Sequence, residues 1–393
     1  MTESNAASQL PPPQYDRKNP FPAALIEHRS LTLPGSGKDT RHFVFSLEGS
    51  GLDYTPGDSL AVFARNAPFL VEGILTRLDL DGATPVPDPK GGEASLAEVL
   101  ASRFILNRAG RKVVKTLATS LPEGPQRDRA AALAADAEAL AEYLFTRDYL
   151  DVLDDFHEAR FESPAEFLAQ LTPIPPRLYS IASSLVAHPG EVHLCVAVVR
   201  YETHGRARTG LCTGYLADQV PLHRAEVPVY VQVSKNFRLP EEGDRNIIMV
   251  GPGTGIAPFR AFLEQREHEG ARGRNWLFFG EQHRATDYLY GEELEAYRTR
   301  GTLHRLDLAF SRDQDHKVYV QHRMKEQAAL LWSWLQEGAY FYVCGDARHM
   351  ARDVHQTLID IAREQGGRSE DAAREYVDVT LMKTERRYLR DVY

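Results

Sequence analysis

An apolar stretch, Ile247-Ile248-Met249-Val250, runs straight into Gly251-Pro252-Gly253-Thr254-Gly255-Ile256-Ala257-Pro258. A buried strand, a glycine-rich turn and a helix start, in that order, suit the binding of a pyrophosphate. Glycines let the backbone come close to the phosphates, and the helix N-terminus offers unpaired N–H groups within a favourable dipole. Pro258 fits the first helical turn, where no backbone donor is needed. A glycine-rich turn without a ligand is the competing reading, and the flanking strand and helix tip the balance to a dinucleotide site.

The kind of dinucleotide is a question of charge. After the apolar run ending at Phe310 come Ser311, Arg312, Lys317, Tyr319 and Gln321. Cations beside a strand end suit the 2′-phosphate of NADP, where a NAD site more often places an acidic residue against the ribose. From spacing alone a solvated charged loop reads equally well. A third candidate is Arg177-Leu178-Tyr179-Ser180-Ile181-Ala182-Ser183-Ser184, after the proline-rich Pro173–Pro176. In an extended segment Arg177 and Tyr179 share a face, which suits a phosphate-bearing aromatic cofactor, or simply an edge strand. His204–Gly214 (HGRARTGLCTG) is a second glycine-rich candidate cradle.

The elements that must position these residues change character along the chain. Residues 1–18 are polar, contain Pro11–Pro13 and read as a mobile tail. Residues 19–66 have strand grammar, with His42–Leu47 and Leu60–Phe63 separated by turns at Gly49–Gly51 and Pro56–Asp58. Residues 67–165 carry helical patterns such as Ser95–Ile105 and Arg129–Phe145. Strand grammar returns over 166–240 with Pro176–Ser183, Val192–Tyr201 and Val227–Val233. A helical block between two β-rich blocks predicts an insertion into a barrel. From 241 to 393 the runs Ile247–Val250, Trp276–Phe279, Leu303–Phe310 and Tyr340–Cys344 alternate with helical segments, predicting a doubly wound parallel sheet.

Composition narrows the class. With 393 residues, 43% hydrophobic and 26% charged, the chain reads as an ordinary globular protein of two or three domains. No apolar run approaches the length of a bilayer span and the N-terminus lacks a secretory pattern, so no membrane association and a cytoplasmic location are expected. A net charge of −9 argues against a nucleic-acid partner. Cys195, Cys212 and Cys344 are too few and scattered for a disulfide framework, and no metal site is expected. Trp276, Trp332 and Trp334 read as packing residues, and His28, His42, His283 and His349 as uncatalytic.

Arg-x-Tyr-Ser-x-x-Ser, GLCTGYL, GPGTGIAPFR, SRDQDHKVYVQ, YVCGDARHM and a closing RDVY occur in this order. Together they resemble the FAD/NADPH reductase half of the diflavin reductases, and RRYLRDVY looks most like the sulfite reductase flavoprotein branch. The resemblance runs from about Asn19 to Tyr393. It implies a ferredoxin–NADP reductase-like α+β multidomain fold: an antiparallel FAD-binding β-barrel with a helical insertion, plus a C-terminal doubly wound α/β NADP-binding domain. It also implies roles. Arg177, Tyr179 and Ser180 would bind FAD, Gly210, Leu211, Cys212 and Thr213 would wrap its pyrophosphate, and Tyr201 would lie near its adenine. Tyr393 would cover the other flavin face. Ser311, Arg312, Lys317, Tyr319 and Gln321 would hold the NADP adenosine and 2′-phosphate, with Gly253, Thr254 and Asp346 lining the rest of the cleft and Arg41 a further contact. Ser180, Cys344 and Asp391 would stand beside the nicotinamide as the catalytic trio, with Tyr393 as a gate. Cys195 reads as core.

No counterpart of the family's preceding FMN domain is expected, since about 20 residues before the first β segment are too few for a domain. The implied activity is hydride transfer from NADPH to FAD, followed by electron transfer to a separate acceptor: a flavodoxin-like FMN protein or a sulfite reductase hemoprotein, the latter placing the chain in cysteine biosynthesis. Two alternatives stand beside it: a ferredoxin/flavodoxin–NADP reductase working in either direction, and a non-catalytic FAD-binding subunit.

Overall fold

Strand-forming apolar runs such as His42–Leu47 and Leu60–Phe63 build a six-stranded sheet in the computed structural model, which describes residues 15–393. Most of the expected tail, including Pro11–Pro13, lies outside the described residues. The strands are β1 (Phe21–Ser30), β2 (Thr40–Ser46), β3 (Ser59–Val62), β4 (Arg177–Ser180), β5 (Glu191–Ala197) and β6 (Ala225–Gln232). Their order is β4-β3-β6-β1-β2-β5, and β1 runs antiparallel to both β6 and β2, as β2 does to β5. Ile181, just past β4, bridges Leu194 on β5. That bridge joins the two ends of the order and closes the sheet into a barrel, which removes its open edges.

Five further strands form a parallel sheet: β7 (Ile247–Val250), β8 (Asn275–Glu281), β9 (Arg305–Phe310), β10 (Tyr340–Gly345) and β11 (Tyr388–Val392), in the order β9-β8-β7-β10-β11. Strand alternation divides the apolar residues between two cores. Ile248, Val250, Trp276 and Phe278 pack with Val354 and Leu358 of the helix Met350–Gly366, while Ile247, Met249, Leu277 and Phe279 pack with Phe259 and Phe262 of the helix Ala257–His268. Each such large side chain, buried fully, stabilises by roughly 1.5–3 kcal/mol, and burial on both faces is why these strands read as continuous apolar runs. The order reverses between β7 and β10, and the crevice at their C-terminal ends is where such sheets bind ligands.

The chain divides into two compact units. One holds the parallel sheet and nearly all of the closed one (the described residues through Ala61, Leu178–Ala197 and Leu222–Tyr393), and the other is Val62–Arg177 with Val198–Pro221. The second unit is largely helical around its own core, which includes Ile74, Leu100, Val113, Leu117, Tyr149 and Phe167. It also carries the hairpin Arg200–Thr203/Arg206–Thr209 and the helix Leu211–Asp218. His204 and Gly205, both at positive φ, form the hairpin's turn. Among the described residues no helix is long and apolar enough to cross a membrane.

Several boundaries differ from the sequence reading. Arg129–Phe145 is two helices, Pro125–Ala135 and Ala137–Phe145, because the Asp136 carboxylate accepts from the N–H groups of Glu138 and Ala139 and starts a new helix. Val192–Tyr201 breaks after Ala197, since Arg200–Thr203 pairs in its own hairpin. A short 3₁₀ turn, Gly253–Ile256, precedes the helix Ala257–His268, which has Pro258 in its first turn.

Candidate functional site

The glycine-rich turn lies where the parallel sheet reverses. Gly255 packs against β10 so closely that a Cβ there would sit 2.2 Å from the Cys344 carbonyl oxygen. Gly253 has φ +59°, the left-handed region that favours glycine. These two positions explain why the turn is glycine-rich whatever it binds. Beside it a cleft of about 580 Å³ is lined by Gly253, Ser311, Arg312, Lys317, Tyr319, Gln321 and Asp346, all named from the sequence. Three cations reach it (Lys38, Arg312 and Lys317), and Tyr319 presents an exposed ring. The donors suit phosphates and the ring suits a base, so the residues fit an NADP-type nucleotide.

Two candidates sit differently. Arg41 makes a two-pronged pair with Asp39 at 2.8 and 2.9 Å and is not among the cleft-lining residues. Asp346 accepts from the backbone N–H groups of His349 and Met350, at 2.7 and 3.1 Å. Those bonds, that of His349 first, lower its pKa and tie it to the start of the helix Met350–Gly366.

Residues far apart in sequence meet at the end of β10 and β11. Cys344 and Asp391 are register partners on these strands. Ser180 Oγ, at the end of β4, donates to Asp391 Oδ2 at 2.6 Å, and Cys344 Sγ lies 3.8 Å from the same oxygen. Burial pushes the Cys344 thiol well above its ordinary pKa, and the neighbouring Asp391 carboxylate adds to the effect. Cys344 is therefore held as a protonated thiol rather than a nucleophilic thiolate. Tyr393 hydrogen-bonds through its hydroxyl to Thr254 Oγ1 at 2.9 Å, and the residue as a whole is 57% exposed. Its backbone is fixed at Gly345 and Ala347, so the side chain, not the strand, is the movable part.

In the second unit Gly210 precedes the helix Leu211–Asp218, whose first turn begins Leu211-Cys212-Thr213. A Cβ at Gly214 would sit 2.3 Å from Thr209 Oγ1, which fixes a small residue where helix and hairpin meet. A helix start suits an anion such as a pyrophosphate. Tyr201, Thr209 and Leu211 line a small pocket there, and Cys212 is buried. The hairpin is anchored by Arg206 and Arg208, which both pair with Asp148 and Asp151. Arg177 belongs to this unit, while Tyr179, half-buried, belongs to the first.

The sequence reading missed Lys38 and Glu281. Lys38 Nζ lies 2.6 and 2.8 Å from the two Glu281 carboxylate oxygens, across 243 residues of chain. The only signal for Lys38 was its place in the turn Pro34-Gly35-Ser36-Gly37-Lys38. His188, Glu191 and His193 also gather, with ligand atoms within 4.8 Å of one another. Their groups are engaged in protein contacts, His188 with Glu264 and His193 with Glu191.

Residues 13–215 match the family model described as FAD binding domain, and residues 249–356 match the oxidoreductase NAD-binding domain. The chain is 45% identical over 389 residues to the sulfite reductase (NADPH) flavoprotein alpha-component of Bacillus subtilis, covering 99% of this chain and 63% of that protein. The same component from Vibrio cholerae is 45% identical over 388 residues (99% and 62%), and that from Neisseria meningitidis 44% over 383 (98% and 62%). The chain thus spans a little under two thirds of the length of these curated relatives. An FAD-binding sequence followed by an oxidoreductase nucleotide-binding one, on a closed antiparallel sheet and a five-stranded parallel sheet, is the organisation of ferredoxin–NADP reductase-like flavoenzymes, and this chain belongs to their FAD-binding-domain family as an oxidoreductase.

Proposed function

We propose that the chain takes hydride from NADPH onto FAD and passes the electrons to a separate acceptor protein, as a sulfite reductase flavoprotein-type component. When bound, FAD supplies the hydride acceptor and the means of releasing electrons one at a time. The observation that carries the reading is the convergence of Ser180 Oγ and Cys344 Sγ on one oxygen of Asp391. The Asp391 carboxylate favours a positively charged nicotinamide over a neutral one, and the Ser180 hydroxyl fixes that carboxylate's direction. Cys344, kept as a thiol, packs the site and limits where the ring can lie.

The remaining roles follow the family resemblance. Arg177 and Tyr179 would hold the flavin end of FAD, Tyr201 its adenine, and Gly210, Leu211, Cys212 and Thr213 its pyrophosphate. Ser311, Arg312, Lys317, Tyr319 and Gln321 would read the NADP adenosine and 2′-phosphate, with Gly253, Thr254 and Asp346 alongside. Tyr393 would cover the flavin at rest and give way to the nicotinamide. Arg41 would join only after leaving Asp39.

The identity of these relatives supports a sulfite reductase hemoprotein, or an FMN protein leading to it, as acceptor. Anaerobic addition of NADPH should bleach the flavin absorbance stoichiometrically. The reduced protein should then be reoxidised by a member of a panel that includes a flavodoxin and a sulfite reductase hemoprotein. A flavin that NADPH leaves oxidised would end the reading.

A further inference from the structure

We propose that Lys38 governs nucleotide affinity at the diphosphate, by cancelling the charge of a carboxylate buried in the cleft. The inference rests on reading that cleft as the nucleotide site. Glu281 ends β8, and its side chain is only 3% exposed. Its Oε1 lies 3.5 Å from where a Cβ on Gly253 would stand, so the carboxylate sits against the glycine-rich turn. An uncompensated buried carboxylate at that place would repel the phosphates the turn is shaped to receive. Lys38 Nζ contacts both of its oxygens and is the basic group that meets it.

A purely structural role, pinning the loop between β1 and β2, is already filled by other bonds. Leu33 N–H donates to the Thr286 carbonyl at 2.9 Å, and the Ser36 hydroxyl bonds Asp287. Lys38 keeps 38% of its side chain exposed and lines the cleft with Arg312 and Lys317. It differs from them in its target. Arg312 and Lys317 follow β9, whereas Lys38 meets Glu281 beside the turn expected to carry the diphosphate. The diphosphate is common to NADPH and NADH, so Lys38 should affect both coenzymes alike.

The test uses the FAD-loaded protein and compares Lys38→Met, Glu281→Gln and the double variant. KM for NADPH and for NADH, and Kd for NADP⁺, are the readouts. Lys38→Met should raise both KM values by a similar factor, about tenfold or more, with kcat at saturating NADPH falling far less. Glu281→Gln should lower both KM values, because Lys38 is released towards the phosphates. The double variant should recover most of the loss, which a merely structural lysine would not do. Unchanged KM values in Lys38→Met, a loss confined to NADPH, or a double variant as poor as Lys38→Met would each overturn the proposal. A wild type that binds no NADP⁺ would instead remove the nucleotide reading beneath it.

Discussion

Tyr393 carries a ring whose hydroxyl makes one exposed hydrogen bond, to Thr254, while its backbone is held on both sides. If the ring covers the flavin as proposed, displacing it would cost a side-chain rotation, that bond and a stacking contact of about 0.5–1.5 kcal/mol. A nicotinamide could displace so weak a cover. Changing Tyr393 to Ala should therefore strengthen the charge-transfer absorbance between flavin and nicotinamide and slow release of NADP⁺. NADH use should gain relatively more, since NADH lacks 2′-phosphate bonds that help NADPH to displace the ring. Spectra and NADH kinetics identical to wild type would mean the ring covers nothing. At this scale the cleft was legible where its residues follow a single strand end, as Ser311 to Gln321 do. Ser180, Cys344 and Asp391 come from β4, β10 and β11, and only the motif resemblance joined them before the fold did. Lys38 and Glu281 were not legible, because neither residue type nor local spacing signals a partner 243 positions away.

Among the elements, the clearest consequence of packing is a set of histidines that burial keeps neutral. His42 on β2 bonds Tyr290 at 2.8 Å, and His193 on β5 lies 3.4 Å from Arg260. Burial first, then the Arg260 charge, lowers His42 to about 2 and His193 to about 3. His188, Arg29, Glu191, Glu264, Glu293 and Cys195 stand around them. An unfolded histidine titrates near 6.5, so between that pH and about 3 the unfolded chain binds protons that the folded chain refuses. Stability is thus full above pH 6.5 and falls as the pH drops below it, by at most roughly 1.4 kcal/mol per pH unit for each histidine. The thermal midpoint should fall between pH 7 and pH 5, and fall less in His42→Leu; equal falls would show that His42 does not set the slope. The sequence made the strands legible because alternation and apolar runs survive packing. It hid the break at Asp136, which lies inside one helical pattern, and the π-helical turns Tyr376–Thr384, whose widened repeat leaves no distinct period in nine residues.

The molecule as a whole pairs one recognised FAD-binding region with one recognised nucleotide-binding region. Under the proposed function hydride would arrive as two electrons together, whereas a heme or cluster centre accepts them singly, so FAD would serve as the divider. One flavin-binding region is recognised, over residues 13–215, and the chain matches just under two thirds of the length of its curated relatives. On denaturation it should release about one FAD per chain and essentially no FMN. Reduced by NADPH, it should pass electrons rapidly to a small one-electron oxidant such as ferricyanide. Reduction of a sulfite reductase hemoprotein should be slow alone and should rise severalfold when an FMN-loaded flavodoxin is added, because that protein would serve as a one-electron carrier between the two. Near-equimolar FMN in the released cofactor would overturn the single-flavin reading. Hemoprotein reduction that is already fast, and that flavodoxin leaves unchanged, would show instead that FAD passes electrons to the final acceptor directly.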